Sequence, residues 1–222
     1  MTVYALLRSL FLIFAREIGF ASSALSAIAP PLKIPVATWR GEYADGQWGR
    51  LWKIDELGHY SVIAGYFGRL KPGGSVLDVA CGEGVLQRHL KPHRYHRYLG
   101  IDFTPEAIAC ASKSKDELTD FAVADAINFS TDQRFDAIIF NECLYYFANP
   151  VNIVNRYSTF LKEDGVFIIS NFSSLTSLNT IRLIRQNFDV DDEVSIVNSD
   201  GISWTVQLAR PKRVATGHRE AA

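Results

Sequence analysis

The segment Val76–Gly84 (VLDVACGEG) joins an apolar strand to a glycine-containing turn, with the acidic residue Asp78 near the end of the strand. We predict that the turn opens a helix near Val85. Glycine lets a ligand approach the backbone closely, and the free N–H groups at a helix N-terminus bind polar groups. A second apolar strand, Tyr98–Asp102, ends in another carboxylate, which is the position that contacts a ribose diol in nucleotide-binding folds. The segment therefore predicts a strand–turn–helix unit whose turn binds a polar small molecule.

Acidic residues at two successive strand ends restrict the charge of that molecule. Asp78 would repel a pyrophosphate, whereas the ammonium and sulfonium groups of S-adenosylmethionine tolerate an acidic site. An NAD-dependent oxidoreductase is a less favoured alternative, because Gly82-Glu83-Gly84 lacks the third glycine of the dinucleotide-binding fingerprint. We therefore predict S-adenosylmethionine as the cofactor.

Alternating strand and helix patterns predict an α/β fold with a doubly wound, mostly parallel, Rossmann-like sheet of seven strands. The last two strands are joined by the turn Asn198–Gly201, and so short a connection makes an antiparallel hairpin. Strands are expected at Ser75–Val79, Tyr98–Asp102, Phe121–Ala124, Phe135–Phe140, Val166–Ser170, Glu193–Asn198 and Ile202–Ala209. Helices are expected from Val85, from Thr104-Pro105, and from Asn149-Pro150 to Gly165.

Composition and charge exclude several classes of protein. The chain has 222 residues, 48% of them hydrophobic, which is enough for one core, and we expect no separate second domain. The net charge of −1 gives no overall field for nucleic acid. The basic cluster Lys91–Arg97 is expected to be a solvated loop, with a phosphate contact as the less favoured interpretation. Cys81, Cys110 and Cys143 lack metal-ligand spacing, which favours a reducing, cytoplasmic compartment and no bound metal.

The N-terminal segment 1–35 is apolar and is expected to form a helical extension. Charged residues at Arg8 and at Arg16-Glu17 leave no uncharged run of about 20 residues that could span a bilayer. We expect the helix to pack on the protein or on a second copy in a homodimer; peripheral membrane contact through residues 1–29 is the alternative. The remaining boundaries are expected at 36–72 for a helical lid, 73–212 for the Rossmann-like domain and 213–222 for a disordered tail.

Aromatic residues are dense between Trp39 and Leu70. Several of these rings would simply bury area where this segment packs on the core. We predict in addition that the segment covers the cofactor cleft as a lid, with Tyr43, His59 or Tyr60 offering polar groups to cofactor or substrate.

Four motifs in order, together with the hairpin, resemble the class I S-adenosylmethionine-dependent methyltransferases over roughly residues 39–210. The run ECLYY and the spacing of Tyr43 and Trp48 look like bacterial small-molecule methyltransferases, including sugar and nodulation-factor types. The resemblance implies methyl transfer from S-adenosylmethionine to an oxygen or nitrogen of a small-molecule acceptor, such as a sugar, a lipid-linked intermediate or a natural product. The motifs are Asp78–Gly84, Gly100–Pro105, Ala124–Ala126, and Phe135-Asp136 leading to Asn141–Tyr146.

The resemblance also implies roles for individual residues. Asp78 and the turn through Ala80, Gly82 and Gly84 match the motif that holds the methionine part of the cofactor. Ala80 stands where the family most often has glycine, so its methyl group should crowd the cofactor and affect affinity. Asp102 matches the position that binds the ribose, and Phe103 would lie beside the adenine. Asp125 and the N–H of Ala126 would also contact the adenine, and the backbone carbonyl of Asn141 would contact the ammonium. Tyr43, from the predicted lid, is included as a further cofactor-binding residue.

Transfer from an activated sulfonium needs mainly a nucleophile held close and on the correct axis. An amine must arrive unprotonated, and an alcohol benefits from a general base near its proton. We predict His59 as this base, because it is the only histidine in the predicted lid; a histidine packed on a helix is the alternative. Glu142, Tyr145 and Tyr146 follow the fourth strand at its carboxyl end and are predicted to line the acceptor site. A non-catalytic S-adenosylmethionine-binding or membrane-scaffold protein is the alternative function for the chain.

Overall fold

The computed structural model describes residues 34–212. The predictions for the N-terminal helix, its membrane or homodimer contacts and the tail at 213–222 therefore lie almost entirely outside the described residues. The strands are β1 (Ser75–Val79), β2 (Arg97–Asp102), β3 (Thr119–Val123), β4 (Phe135–Asn141), β5 (Leu161–Phe172), β6 (Phe188–Val197) and β7 (Ser203–Pro211). The helices are α1 (Val36–Ala44), α2 (Leu57–Leu70), α3 (Val85–Leu90), α4 (Pro105–Ala111), α5 (Pro150–Ser158) and α6 (Leu175–Asn187), with short 3₁₀ helices that include Gln47–Trp52, Ile54–Glu56 and Leu144–Tyr146.

The seven strands form one sheet in the order β3-β2-β1-β4-β5-β7-β6. Neighbours from β3 to β5 are parallel, whereas β7 is antiparallel to both β5 and β6. The central strands β1 and β4 are buried along almost their whole length, as expected for parallel strands covered on both faces. The predicted doubly wound sheet with a terminal antiparallel hairpin is confirmed.

The helix predicted to run from Pro150 to Gly165 ends earlier, at Ser158. Asn149 caps its start as predicted, because its side chain accepts a hydrogen bond from the Asn152 N–H at 3.1 Å. Gly165 instead lies inside β5, where an added Cβ would come within 3.1 Å of the Phe135 carbonyl oxygen. The glycine therefore permits a close approach of two strands and does not end the helix.

The segment predicted as a lid divides into two parts. α2 packs on the sheet, where Ile63 and Phe67 are fully buried in a cluster that includes residues of β1, β4 and β5. α1 and the two 3₁₀ helices that follow it lie beside the carboxyl ends of the strands, although Leu51 of the first 3₁₀ helix also packs on that cluster. Among residues 34–212, no helix is both long enough and apolar enough to cross a membrane.

Candidate active site

A cleft of about 410 Å³ opens at the carboxyl ends of the parallel strands, where this architecture places ligands. α1, the 3₁₀ helices at 47–56 and 144–146, and β7 complete its walls. The structure thus brings most of the predicted site residues together. Those that line the cleft are Tyr43, Asp78, Ala80, Gly82, Asp102, Phe103, Asp125, Ala126, Asn141, Glu142 and Tyr146.

The turn after β1 has an unusual backbone. Ala80, Gly82 and Gly84 have φ angles of 59°, 54° and 77°, in the left-handed region that favours glycine. Ala80 therefore occupies a position that glycine would adopt with less strain, which gives a physical reason for the family preference. Gly84 does not line the cleft: an added Cβ would meet the Phe121 ring at 3.1 Å, so this glycine serves helix packing and the prediction of a cofactor contact is corrected.

Asp102 connects two ligand-facing loops. Its carboxylate accepts hydrogen bonds from the Gly82 N–H at 3.0 Å and from the Thr104 N–H at 2.8 Å. The side chain is 4% exposed, and burial raises its pKa above the usual value. The turns after β1 and β2 are therefore held in one arrangement by a single carboxylate that also lines the cleft.

Asp78 is the most deeply buried of these acids, at 1% exposure. The Tyr98 hydroxyl donates to its Oδ2, while its Oδ1 has no hydrogen-bond partner within the described part of the chain. Burial raises the pKa of Asp78 to about 7, with a further contribution from the charge of Asp102. A buried carboxylate oxygen without a donor is costly, and a positively charged ligand group in the cleft would satisfy it.

Further polar and aromatic groups line the cleft after β2, after β3 and at the end of β4. Asp125 follows β3 and accepts hydrogen bonds from the Ile127 N–H at 2.9 Å and from Asn128 Nδ2 at 3.0 Å. Phe103 is 38% exposed, so its ring is available to a ligand. The Asn141 Oδ1 is buried and is another acceptor without a partner among residues 34–212.

Residues of the predicted lid lie against the turn after β1, residues 80–84, which is called the cofactor loop below after its predicted role. The Trp48 ring stacks on Trp39 and Tyr43, with centroids 5.3 Å and 5.4 Å apart. An added Cβ at Gly82 would lie 2.9 Å from the Tyr43 hydroxyl oxygen, so this hydroxyl sits against the loop. Arg40 also pairs with Glu106 at 2.7 Å and links α1 to α4.

Glu142 follows β4 with a φ of 58°, a strained backbone of the kind found at functional sites. Its carboxylate accepts hydrogen bonds from Ser170 Oγ at 2.6 Å, the Phe172 N–H at 2.7 Å and the Tyr145 hydroxyl at 3.3 Å. Burial raises its pKa to about 7, although the residue keeps some exposure to the cleft. The Tyr146 ring lies nearby, edge-on to Trp39 at 5.1 Å.

His59 does not line the cleft, which contradicts its predicted role as general base. It is fully buried and stacks on Trp204 with ring centroids 5.1 Å apart. Neither ring nitrogen has a hydrogen-bond partner in residues 34–212, and burial lowers the pKa to about 3. The next residue, Tyr60, lines the cleft instead, because each step along a helix turns the side chain by about 100°.

Glu56 and Trp204 are among the cleft residues that were not predicted from the sequence. Glu56, 4% exposed, comes from the 3₁₀ helix before α2, and Trp204, 1% exposed, comes from β7. Trp204 reaches the cleft because β7 lies beside β5, and no sequence signal specified this strand order. Glu56 has no motif around it that could have identified it.

Comparisons with known proteins identify relatives of this chain. A family model described as a methyltransferase domain matches residues 70–209. A malonyl-[acyl-carrier protein] O-methyltransferase from Acetivibrio thermocellus is 28% identical over 123 residues, covering 53% of this chain and 44% of that protein. Nodulation protein S from Sinorhizobium fredii is 38% identical over 84 residues, covering 37% of this chain and 38% of that protein. The chain thus spans less than half the length of these curated relatives.

Solved structures share the fold at low sequence identity. The N-methyltransferase NodS from Bradyrhizobium japonicum has a TM-score of 0.63 at 18% identity, covering 73% of this chain and 99% of that chain. The 1,6-didemethyltoxoflavin-N1-methyltransferase from Burkholderia thailandensis was solved with bound 1,6-didemethyltoxoflavin and S-adenosylhomocysteine. It has a TM-score of 0.64 at 19% identity, and the match covers 82% of this chain and 94% of that chain.

Proposed function

The chain belongs to the methyltransferase domain family, and we propose that it transfers a methyl group from S-adenosylmethionine to an oxygen or nitrogen atom of a small-molecule acceptor. The class I S-adenosylmethionine-dependent methyltransferase family predicted from the motifs is thereby confirmed. Both O-methyltransferases and N-methyltransferases occur among the relatives, so family membership alone leaves both acceptor atoms open.

The cleft has the chemical groups that this cofactor requires. The unpartnered Oδ1 of Asp78 and the backbone carbonyl of Asn141 would hold the ammonium group of the cofactor. Asp102 would accept hydrogen bonds from the ribose hydroxyls. Phe103 and Asp125 would contact the adenine. When bound, S-adenosylmethionine supplies a methyl group that is already activated on a sulfonium.

Residues at the other end of the cleft would act on the acceptor. Glu142 accepts a proton from the acceptor, because a pKa of about 7 leaves a useful fraction of its carboxylate ionised near neutral pH. Tyr146 and Trp39 form one wall and restrict the orientation of the acceptor. Tyr43 lies against the cofactor loop and limits the access of water to it.

One observation carries this proposal: Asp78 and Asp102 converge on one cleft beside a turn built from three left-handed residues. Calorimetry with S-adenosylhomocysteine tests it. We expect binding to the wild type and a loss of at least about 10-fold in affinity for Asp102→Asn, since this change removes a charge-assisted acceptor. Asp189→Asn, an exposed acid on β6, is the matched control and should bind like the wild type.

Turnover separates the enzyme from a non-catalytic binding protein. Incubation with methyl-labelled S-adenosylmethionine and a small-molecule extract should transfer label to an extracted compound. If S-adenosylhomocysteine binds but no compound is labelled, the non-catalytic alternative gains support. If neither S-adenosylhomocysteine nor S-adenosylmethionine gives a heat of binding, the proposed function is wrong.

A further inference from the structure

We propose that Arg156, on α5, is a positioning residue that holds the loop after β3 in the shape that recognises the adenine of the cofactor. This role rests on the proposed function, in which Asp125 contacts the adenine, and on the predicted contact of the Ala126 N–H. The loop comprises residues 124–129 and is called the adenine loop below after that proposed role. Arg156 does not line the cleft, so it acts on the ligand only through this loop.

The adenine loop presents one side to the cleft, which residues 124–127 all line. The loop is a tight turn, because the Asp125 carbonyl oxygen accepts from the Asn128 N–H at 3.0 Å and from the Phe129 N–H at 2.8 Å. In the described part of the chain, the Ala126 N–H has no hydrogen-bond partner. Adjacent residues therefore offer the cleft a carboxylate acceptor and a free N–H donor.

Adenine has the matching pair of groups. Its amino group donates a hydrogen bond, and the neighbouring ring nitrogen accepts one. A carboxylate and an N–H on adjacent residues satisfy both groups, provided that the loop keeps their spacing. A base with the reverse pattern would leave both protein groups without a partner, and such a loss is costly in a buried site. The shape of the adenine loop therefore decides which base binds.

Arg156 holds the side of the adenine loop that faces away from the ligand. Its guanidinium donates to the carbonyl oxygens of Ala126 at 3.3 Å, of Ile127 at 2.5 Å, and of Phe129. The carbonyls of Ile127 and Phe129 are two residues apart, and they bond to different nitrogens of the planar guanidinium. One side chain of α5 thus fixes three successive points of a loop that α5 does not otherwise share.

Tyr157, the next residue on α5, holds the same loop from the core. Its hydroxyl donates to the Ala126 carbonyl oxygen at 3.0 Å, so this oxygen has two side-chain donors. The Tyr157 ring is fully buried and lies edge-on to Phe140 and Phe160, with centroids 5.3 Å and 5.4 Å away. Because Phe140 belongs to β4, the orientation of Ala126 is fixed relative to the sheet.

The first residue of the adenine loop is held independently of Arg156. The Ala124 N–H donates to the backbone carbonyl of Asp102 at 2.8 Å. Asp102 is the acid proposed to bind the ribose, so this bond ties the start of the loop to the ribose site. Loss of the Arg156 guanidinium should therefore move the part of the loop that meets the base and leave the ribose site in place.

Calorimetry with two ligands that differ only in the base tests this role. S-inosylhomocysteine has a carbonyl where S-adenosylhomocysteine has the amino group, and an N–H at the neighbouring ring position. We expect the wild type to prefer S-adenosylhomocysteine by at least about 10-fold. Arg156→Gln should reduce this preference to less than about 3-fold, mainly by weakening the binding of S-adenosylhomocysteine.

Two further variants complete the test. Tyr157→Phe removes one donor to the Ala126 carbonyl but keeps the ring, and it should lower the preference by about 2-fold or more. Arg134→Gln is the matched control, because this exposed arginine also donates to loop carbonyls between β3 and β4, those of Asp132 and Gln133, but does not line the cleft. Its preference should equal that of the wild type.

Circular dichroism reports whether each variant is folded. The role of Arg156 is overturned if the wild type binds S-adenosylhomocysteine without preferring it, or if folded Arg156→Gln keeps the wild-type preference. An equal loss of affinity for both ligands also overturns it, because a merely structural arginine would weaken both alike. If Arg156→Gln does not fold, an unchanged preference in Tyr157→Phe overturns it. If neither ligand binds the wild type, the proposed function itself fails, and the role of Arg156 fails with it.

Discussion

Replacing Asp78 with asparagine should stabilise the cofactor-free protein above neutral pH and at the same time abolish its binding of S-adenosylhomocysteine. Asp78 is 1% exposed and keeps one oxygen without a donor in the described part of the chain. Asparagine has the same shape and can still accept from Tyr98, but it has no charge to bury. Asp78, the residue proposed to bind the cofactor, is therefore expected to destabilise the empty protein.

The raised pKa of Asp78 gives the magnitude and the sign of the change in stability. A rise from 3.8 to about 7 corresponds to a cost on the order of 4 kcal/mol, at about 1.4 kcal/mol per pH unit. Below pH of about 4 the carboxyl group is protonated in both folded and unfolded protein and costs nothing. As the pH rises from about 4 to about 7, the unfolded chain releases its proton first, so the folded state loses this amount of stability. His59, with its pKa lowered to about 3, changes stability in the opposite direction over this range, but it is common to both proteins and cancels in their difference.

Urea denaturation of the cofactor-free proteins at pH 4.5 and pH 8 measures the effect. The free energy of unfolding of Asp78→Asn, relative to wild type, should increase between these pH values by on the order of 3 to 4 kcal/mol. Asp189→Asn removes an exposed acid and should show no such increase. A difference that stays constant with pH, or an asparagine variant that is less stable at pH 8, would refute the claim that this acid is buried at a cost.

Three further substitutions test the cofactor loop and its cover. Ala80→Gly should bind S-adenosylhomocysteine more tightly in calorimetry. Its free energy of unfolding should change by less than about 1 kcal/mol, because glycine relieves the left-handed backbone strain but loses side-chain packing and makes the unfolded chain more flexible. Gly82→Ala places a Cβ 2.9 Å from the Tyr43 hydroxyl and should weaken the binding of S-adenosylhomocysteine by about 10-fold or more. The additional change Tyr43→Phe should restore part of this affinity. If it restores none, the contact between Gly82 and Tyr43 is unimportant for binding. Arg40→Gln breaks the exposed pair with Glu106 and should weaken binding by less than about 3-fold, an effect that disappears in 0.5 M salt.

The residues expected to bind the cofactor could be predicted to lie in one cleft because each of them belongs to a short motif that is recognisable in the sequence. Asp78 and Asp102 each sit at the end of a recognisable apolar strand, and a parallel sheet brings such ends to one edge. The spacing of glycines marked the turn between them. Gly84 does not line the cleft, and the sequence could not show this, because a left-handed backbone is needed equally for ligand approach and for helix packing.

In the acceptor half, Glu142 and Tyr146 were expected from their place after the fourth strand, and both line the cleft. Glu56 and Trp204 could not be predicted, because their positions depend on contacts between distant parts of the chain. β7 lies between β5 and β6, and this order, which no local pattern specifies, brings Trp204 to the cleft. His59 and Tyr60 both lie on the buried face of α2, so hydrophobic periodicity did not show which of them faces the cleft.

The cover of the cleft is one uninterrupted stretch of chain, from α1 to Glu56, that contributes Trp39, Tyr43, Trp48 and Glu56 but no strand of the sheet. Insertions and replacements are tolerated best where few core contacts are disturbed. Under the proposed function, evolution or a protein engineer could therefore exchange this stretch as a module that changes the acceptor, provided that the contact of Tyr43 with the turn after β1 is kept.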